Sequence, residues 1–115
     1  MSESLLNISV ESLKRVDLIT VSGRIDSSNV TELEDALNNS LQNGRFNLVL
    51  DMADVNYISS AGLRAIVAAL RDCSKRGGGV RIARPSDRVQ EVLSLAGLDS
   101  LFPIYEDTVS AVGSF

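Results

Sequence analysis

Hydrophobic residues recur along this chain with two different periods, and their alternation predicts strands separated by helices. Leu6, Ile8 and Val10 alternate with polar residues, which is the period of a half-buried strand. A continuous apolar run before Asp51 is typical of a strand buried on both faces. The segments that we predict to be extended are residues 6–10, 16–22, 46–50, 80–83 and 101–105.

Apolar residues at helical spacing predict four helices. In the second, Leu63, Ile66, Val67 and Leu70 follow the i, i+3, i+4, i+7 pattern of one buried face. In the last, Val109 and Val112 are expected to face inward. From the capping residues and glycines at their ends, we place the first three helices near residues 29–43, 60–76 and 85–96, and we expect a last helical turn or two within residues 106–115.

The resulting order, β-β-α-β-α-β-α-β-α, predicts an α/β fold formed by one domain over residues 1–115. Strand–helix–strand units of this length require parallel pairing, whereas the first two strands can form an antiparallel hairpin. We therefore expect a mixed sheet of four to five strands with helices packed against it. Functional groups in such sheets collect beyond the carboxyl ends of the strands, where we expect Asp26 and the segment from Asp51 to Ser60.

Charge and hydropathy exclude several kinds of partner. The net charge is −4 and no block of Lys or Arg occurs, so direct nucleic-acid binding is not expected. No apolar run approaches the ~20 residues of a membrane span, and the amino terminus does not resemble a signal peptide. We expect a cytoplasmic protein that does not bind membranes and is a monomer.

Missing residue types argue against catalysis. The chain has no His, one Cys and no Trp, so a nucleophile–His pair or a structural zinc site cannot form. Cys73 falls on the apolar stripe of its helix and is expected to pack in the core. The glycines at residues 77–79 follow a helix and predict a helix stop instead of a phosphate-binding loop. We expect no enzymatic activity, no cofactor and no metal.

Two adjacent serines stand at the predicted start of the second helix. Ser59 or Ser60 can cap this helix and do nothing else. Alternatively, a Ser hydroxyl at the positive end of the helix dipole is well placed to bear a phosphate. Asp26 has the same two interpretations, a turn residue or part of a partner-binding surface, and Gly62 is expected to allow close backbone approach. The pattern alone leaves these alternatives open.

Residues 57–63, reading Y-I-S-S-A-G-L between an L-V-L-D strand and an amphipathic helix, resemble the signature of STAS domains. More narrowly, they resemble the single-domain bacterial anti-sigma factor antagonists. Residues 23–26 are similar to that family's G-x-[IL]-D segment, and the Gly-Leu pair at residues 97–98 is similar to the one after its third helix. The resemblance covers nearly the whole chain.

The resemblance implies phosphorylation-controlled partner switching. Ser60 matches the family's phosphorylated serine, while Ser59 stands where the family commonly has Asp and Ala61 where it has a second hydroxyl residue. The implied partners are an anti-sigma factor that is also a serine-protein kinase, and a PP2C-type phosphatase. The unphosphorylated form would bind the kinase and release the sigma factor, in a regulatory pathway such as a stress response. Asp26, Ser59, Ser60, Ala61 and Gly62 are the implied partner-binding residues.

Two other functions remain as alternatives. Asp51 after a buried strand is similar to the phosphorylated Asp of receiver domains, although an acidic pair after the first strand and a Lys after the last are missing. The second alternative is a non-phosphorylated STAS subunit that only assembles, as in lipid transport or a stress-sensing complex. Ser59 in place of Asp is compatible with that role.

Overall fold

The computed structural model describes residues 6–115. They form four helices and five strands, and the strands pair in one mixed sheet. The strand order is β1-β2-β3-β4-β5, with β1 antiparallel to β2 and every other pair parallel. The elements are β1 (Leu6–Ser12), β2 (Asp17–Ile25), α1 (Val30–Gln42), β3 (Asn47–Ile58), α2 (Ser60–Lys75), β4 (Gly79–Ala83), α3 (Asp87–Leu95), β5 (Ile104–Tyr105) and α4 (Thr108–Gly113).

Successive side chains of a strand point to opposite faces, and this alternation builds two cores of unequal size. Leu48 and Leu50 of β3 belong to the large core, which also contains buried side chains of α1, α2 and α3. Cys73 is completely buried in this core, as predicted. Val49 points to the other face and packs in a small core with Ala111 of α4. The predicted α/β fold, with a mixed sheet and helices against it, is confirmed.

Strand β3 is longer than the apolar run predicts. Instead of ending at Leu50, it continues to Ile58, because Val55 and Ile58 are buried and the strand keeps pairing with β2. Strand β2 likewise extends beyond residue 22, where it was predicted to end, to Ile25, with an irregular register after Gly23, whose φ is 104°. A residue with this φ is strained unless it is glycine.

The prediction for the carboxyl-terminal helix was partly wrong. Val109 points outward and is 81% exposed, whereas Ala111 is buried and Val112 is half-buried. Asp107 caps α4 through a hydrogen bond from the Ser110 N–H, and this start sets which positions face the sheet. None of the helices within residues 6–115 has both the length and the hydropathy that a membrane span requires.

Candidate functional site

The two serines at the start of α2, Ser59 and Ser60, have different structural roles. Ser59 has an extended backbone, and its hydroxyl accepts a hydrogen bond from the Gly62 N–H at 3.3 Å. Its carbonyl accepts the first helical hydrogen bond, from the Leu63 N–H at 3.0 Å. Ser59 is therefore the capping residue, and Ser60 is the first residue of the helix.

Ser60 is exposed, and its hydroxyl makes no hydrogen bond to any part of residues 6–115. The N–H groups of the first helical residues have no acceptor within the helix. For Ser60 and Ala61, no acceptor is supplied by the rest of the described chain either. Helix α2 also lacks an acidic residue in its first turn, in contrast to α1 and α3. The positive end of this helix is therefore open to solvent, and no acidic side chain of its own first turn balances it.

Asp26 lies beside this helix start because β2 and β3 are parallel neighbours. Ile25 pairs with Ile58, and the Ser59 N–H donates to the Ile25 carbonyl at 2.9 Å. Asp26 and Ser59 are the next residues on their strands, so both lie at the carboxyl edge of the sheet. The expectation that Asp26 and the helix start share one edge is confirmed.

The Asp26 carboxylate also organises its own turn. It accepts hydrogen bonds from the Ser28 hydroxyl at 2.5 Å, the Ser28 N–H at 2.9 Å and the Arg24 Nε at 3.0 Å. The two bonds from Ser28, together with the bond and charge of Arg24, hold the pKa of Asp26 below its usual range. Arg24 also stacks on the Tyr57 ring, with 4.0 Å between its guanidinium carbon and the ring centroid. Asp26 is thus ionised at neutral pH and held in place.

Gly62 fixes how closely α2 approaches the sheet. A Cβ atom at this position would lie 2.7 Å from Cγ2 of Ile25 and 2.8 Å from Cγ1 of Ile58. The predicted close approach is therefore present, although the contact is with side chains that end β2 and β3. Ala61 is half-buried at the same edge. Ser59, Ser60, Ala61, Gly62 and Asp26 form one continuous group of residues, which we call the carboxyl-edge site.

Asp51 does not belong to the carboxyl-edge site, which corrects the sequence-based placement. It lies within β3, seven residues before the strand ends at Ile58. Its side chain is buried and forms an ion pair with Arg84, with 2.7 Å between Oδ2 and Nη2. Asp51 is opposite Ala83, the last residue of β4, and Arg84 follows directly. This engaged carboxylate offers no open position for a phosphate, and residues 6–115 contain no cluster of acidic side chains suited to a metal.

Sequence reasoning missed two arginines close to the carboxyl-edge site. Arg24 precedes Asp26 by two residues and contacts both it and Tyr57. Arg64 is exposed on α2, four residues after Ser60. The i, i+4 spacing of Ser60 and Arg64 was visible in the sequence, whereas the stacking of Arg24 on Tyr57 depends on the register of β2 and β3.

Comparison with known proteins agrees with this architecture. The family model of the STAS domain matches residues 7–111. The chain belongs to the STAS domain family. The anti-sigma-B factor antagonist of Staphylococcus epidermidis is 28% identical over 105 residues, which are 90% of this chain and 97% of that protein. The family recognised from residues 57–63 is thereby confirmed.

Solved structures of proteins named as anti-sigma factor antagonists superpose over nearly the whole chain. An anti-sigma factor antagonist from Mycobacterium paratuberculosis has a TM-score of 0.85 at 27% identity, covering 95% of this chain and 92% of that one. The anti-sigma factor antagonist SpoIIAA in its unphosphorylated form has a TM-score of 0.81 at 17% identity, covering 92% and 93%. At that identity the likeness shows the fold alone.

Proposed function

We propose that this STAS domain is an anti-sigma factor antagonist controlled by phosphorylation of Ser60. The observation that carries the proposal is that the two serines at the start of α2 have different roles. Ser59 caps the helix, which leaves the Ser60 hydroxyl exposed and free to react. The similarity to anti-sigma factor antagonists over most of the chain supports the proposed role as an anti-sigma factor antagonist.

The folded domain would tolerate this modification. A phosphoserine carries about 1.5 to 2 negative charges at pH 7. At Ser60 this charge would face the unpaired N–H groups of Ser60 and Ala61 and the positive end of α2, which has no acid in its first turn. Such contacts at a helix start are stabilising by about 0.3–1 kcal/mol. Phosphorylation is therefore expected to alter binding without unfolding the protein.

The same charge would be costly in a protein–protein interface. In the proposed mechanism, unphosphorylated protein binds an anti-sigma factor that is also a serine-protein kinase, through the carboxyl-edge site, and frees the sigma factor. Phosphate on Ser60 would add to the negative charge of Asp26 at this edge. Burying an unpaired charge costs about 3–5 kcal/mol, or about two to three and a half decades of affinity. A PP2C-type phosphatase would restore the binding form.

Phosphate transfer is tested by intact-mass analysis after incubation with ATP and the serine kinases encoded in the same genome. The wild type is expected to gain one phosphate, and fragmentation should map it to Ser60. The Ser59→Ala variant keeps the acceptor and should still be modified, whereas Ser60→Ala should not. Modification at Ser59 or at Asp51, or none with any kinase, would contradict the proposal. Absence of any adduct would favour the assembly role.

Partner release is tested with Ser60→Asp, which places a negative charge at the start of α2. We expect it to bind the kinase at least tenfold more weakly than the wild type, with a nearly unchanged melting temperature. Ser60→Ala, which adds no charge, is the matched control and should bind like the wild type. Equal affinities for all three proteins would be incompatible with a charge-operated switch.

A further inference from the structure

One face of α2 continues from Ser60 into an open groove. Ser60, Arg64, Val67 and Arg71 are spaced so that they follow one another along the same side of the helix. Beyond Ser60, this side borders a groove of about 330 Å³, lined by Leu63, Arg64, Val67, Ala68, Arg71 and Leu98. We call it the α2 groove. The phosphorylatable serine and the groove therefore form one continuous surface.

The α2 groove combines an apolar floor with positive charge. Arg64 and Arg71 are exposed and take part in none of the ion pairs among residues 6–115. None of the residues that line the groove is acidic. The neighbouring flank of α2, which faces α1, contains Asp72 and lies beside Glu34 of α1. Two unpaired cations beside apolar side chains, in a chain of net charge −4, favour a partner segment that is apolar and acidic.

Arg64 is the cation nearest to Ser60 along this surface. Residues four apart on a helix are neighbours, with about 5–6 Å between their Cβ atoms. Side chains of a helix lean towards its amino terminus, which directs Arg64 towards the first turn. A guanidinium group binds carboxylates and phosphates in the same bidentate geometry. Arg64 can therefore make a bidentate contact either with a partner's carboxylate or with a phosphate on Ser60, but not with both at the same time.

We propose that Arg64 binds a carboxylate on an apolar, acidic segment of the anti-sigma factor while Ser60 is unmodified, and binds the phosphate once Ser60 is phosphorylated. Phosphorylation then releases the partner in two ways, by adding negative charge and by withdrawing a cationic contact. This inference rests on the proposed function, because it assumes that Ser60 is the modified residue and that the anti-sigma factor is the partner. Beyond that function, it specifies which part of the partner occupies the α2 groove and which anions Arg64 binds.

The intramolecular contact is tested without any partner. Protein carrying phosphoserine at position 60, installed by genetic code expansion, is titrated by phosphorus NMR. A nearby cation favours the dianion, so Arg64→Gln should raise the midpoint of the phosphate titration by about 0.3 pH unit. Lys75→Gln removes the same charge from the last turn of α2, about 16 Å further along the helix, and should leave the midpoint unchanged. An unchanged midpoint in Arg64→Gln, or a shift only in Arg24→Gln, would overturn the assignment.

The intermolecular contact is tested by measuring the affinity of the anti-sigma factor in the absence of ATP. Unmodified Arg64→Gln should bind about tenfold more weakly than the wild type, and unmodified Lys75→Gln within twofold. Phosphoserine at position 60 should then weaken Arg64→Gln about tenfold less than it weakens the wild type, because the variant has no arginine contact to lose. If phosphoserine weakened binding by the same factor in the wild type and in Arg64→Gln, the two losses of affinity would be additive. Arg64 would then not bind both the partner's carboxylate and the phosphate.

Failure of the proposed function and failure of the role of Arg64 give different experimental results. If phosphoserine leaves the affinity of the wild type unchanged, the proposed function is wrong, and this inference falls with it. If phosphoserine releases the partner normally but Arg64→Gln binds like the wild type, the proposed function stands. Only the role of Arg64 and the α2 groove is then wrong.

Discussion

The hydroxyl of Ser59 accepts a hydrogen bond from the backbone N–H of Gly62, with 3.3 Å between the two atoms. This contact makes Ser59 structural and leaves the adjacent Ser60 available for chemistry. The two side chains have the same size and differ by one position, so they can be compared directly as matched variants.

We expect Ser59→Ala to lower the free energy of unfolding by about 1 kcal/mol, the usual cost of losing a capping side chain. Ser60→Ala should change it by less than about 0.5 kcal/mol, because the exposed hydroxyl has no partner in the described chain. Urea unfolding at neutral pH measures both. If the two variants were equally destabilised, the assignment of the cap to Ser59 alone would be wrong.

The close approach of α2 to the sheet gives a second prediction. In Gly62→Ala the new methyl group would lie 2.7 Å from Ile25 and 2.8 Å from Ile58, so these side chains or the helix must move. Inserting a methyl group into such a packed site typically costs about 1–3 kcal/mol. The free energy of unfolding should fall by that amount, and phosphate transfer to Ser60 should slow because the first turn of α2 is displaced.

Gly113→Ala is the matched control for this variant. An added Cβ at Gly113 meets no atom within 4 Å, and the residue is helical. We expect this substitution to be neutral or slightly stabilising, since Ala favours helices over Gly. A loss of stability in Gly113→Ala as large as that in Gly62→Ala would show that glycine replacement is costly here for reasons other than space.

Local signals in the sequence were sufficient to place the start of α2 and both ends of α3. Ser86 caps α3 by accepting the Val89 N–H, and Gly97, with φ of 72°, follows its end. Such features depend on neighbouring residues, so they can be recognised from the chain alone. The start of α2 was predicted to within one residue for the same reason. The choice between Ser59 and Ser60 as the cap required the actual backbone geometry.

The end of β3 could not be predicted in this way. Asp51, Asp54 and Asn56 interrupt the apolar run, so the pattern indicated a loop after Leu50. Strand β3 continues because its backbone pairs with β2, and because Asp51 is neutralised by Arg84, which is 33 positions later in the chain. Pairing and ion pairs between distant positions are properties of the folded chain, and residue types along a single segment do not reveal them.

A buried carboxylate at the opposite edge of the sheet predicts sensitivity to acid. Asp17 is 3% exposed and accepts hydrogen bonds from the Ser40 hydroxyl at 2.6 Å and the Arg45 Nε at 2.9 Å. Burial raises the pKa of Asp17, but the hydrogen bonds from Ser40, Ser12 and Arg45 and the Arg45 charge outweigh it, so the net pKa is lowered. The ionised form is therefore favoured by folding.

A depressed pKa contributes stability that is complete above the unfolded-state value, about 3.9, and is lost as the pH falls through the folded-state value. Asp17→Asn should lower the free energy of unfolding by about 1.5–3 kcal/mol at pH 7. The difference in the free energy of unfolding between wild type and variant should become smaller below about pH 4. Asp35→Asn, at an exposed position of α1, is the control and should behave like the wild type throughout. A gap for Asp17→Asn that stays constant down to pH 2 would contradict this explanation.

Arg84 combines an ion pair with an unfavourable backbone. Its φ is 49°, in the left-handed region, while its guanidinium group donates to both oxygens of Asp51, at 2.7 Å and 3.2 Å. Arg84→Ala and Arg84→Gly both remove the ion pair and leave Asp51 buried without its cation, which should cost about 1–3 kcal/mol. Only glycine also relieves the backbone. Arg84→Gly should therefore be more stable than Arg84→Ala by about 1 kcal/mol in urea unfolding.

The opposite order is expected at Arg88, an exposed residue in α3 whose ion pair with Glu91 is lost in either substitution. At this helical position, Arg88→Ala should be more stable than Arg88→Gly by about 1 kcal/mol. The comparison separates the backbone effect from the lost charge, because each position loses one ion pair in both of its variants. If alanine were the more stable replacement at both positions, the left-handed conformation of Arg84 would carry no energetic cost. The Asp51–Arg84 ion pair would then not be holding a strained residue in place.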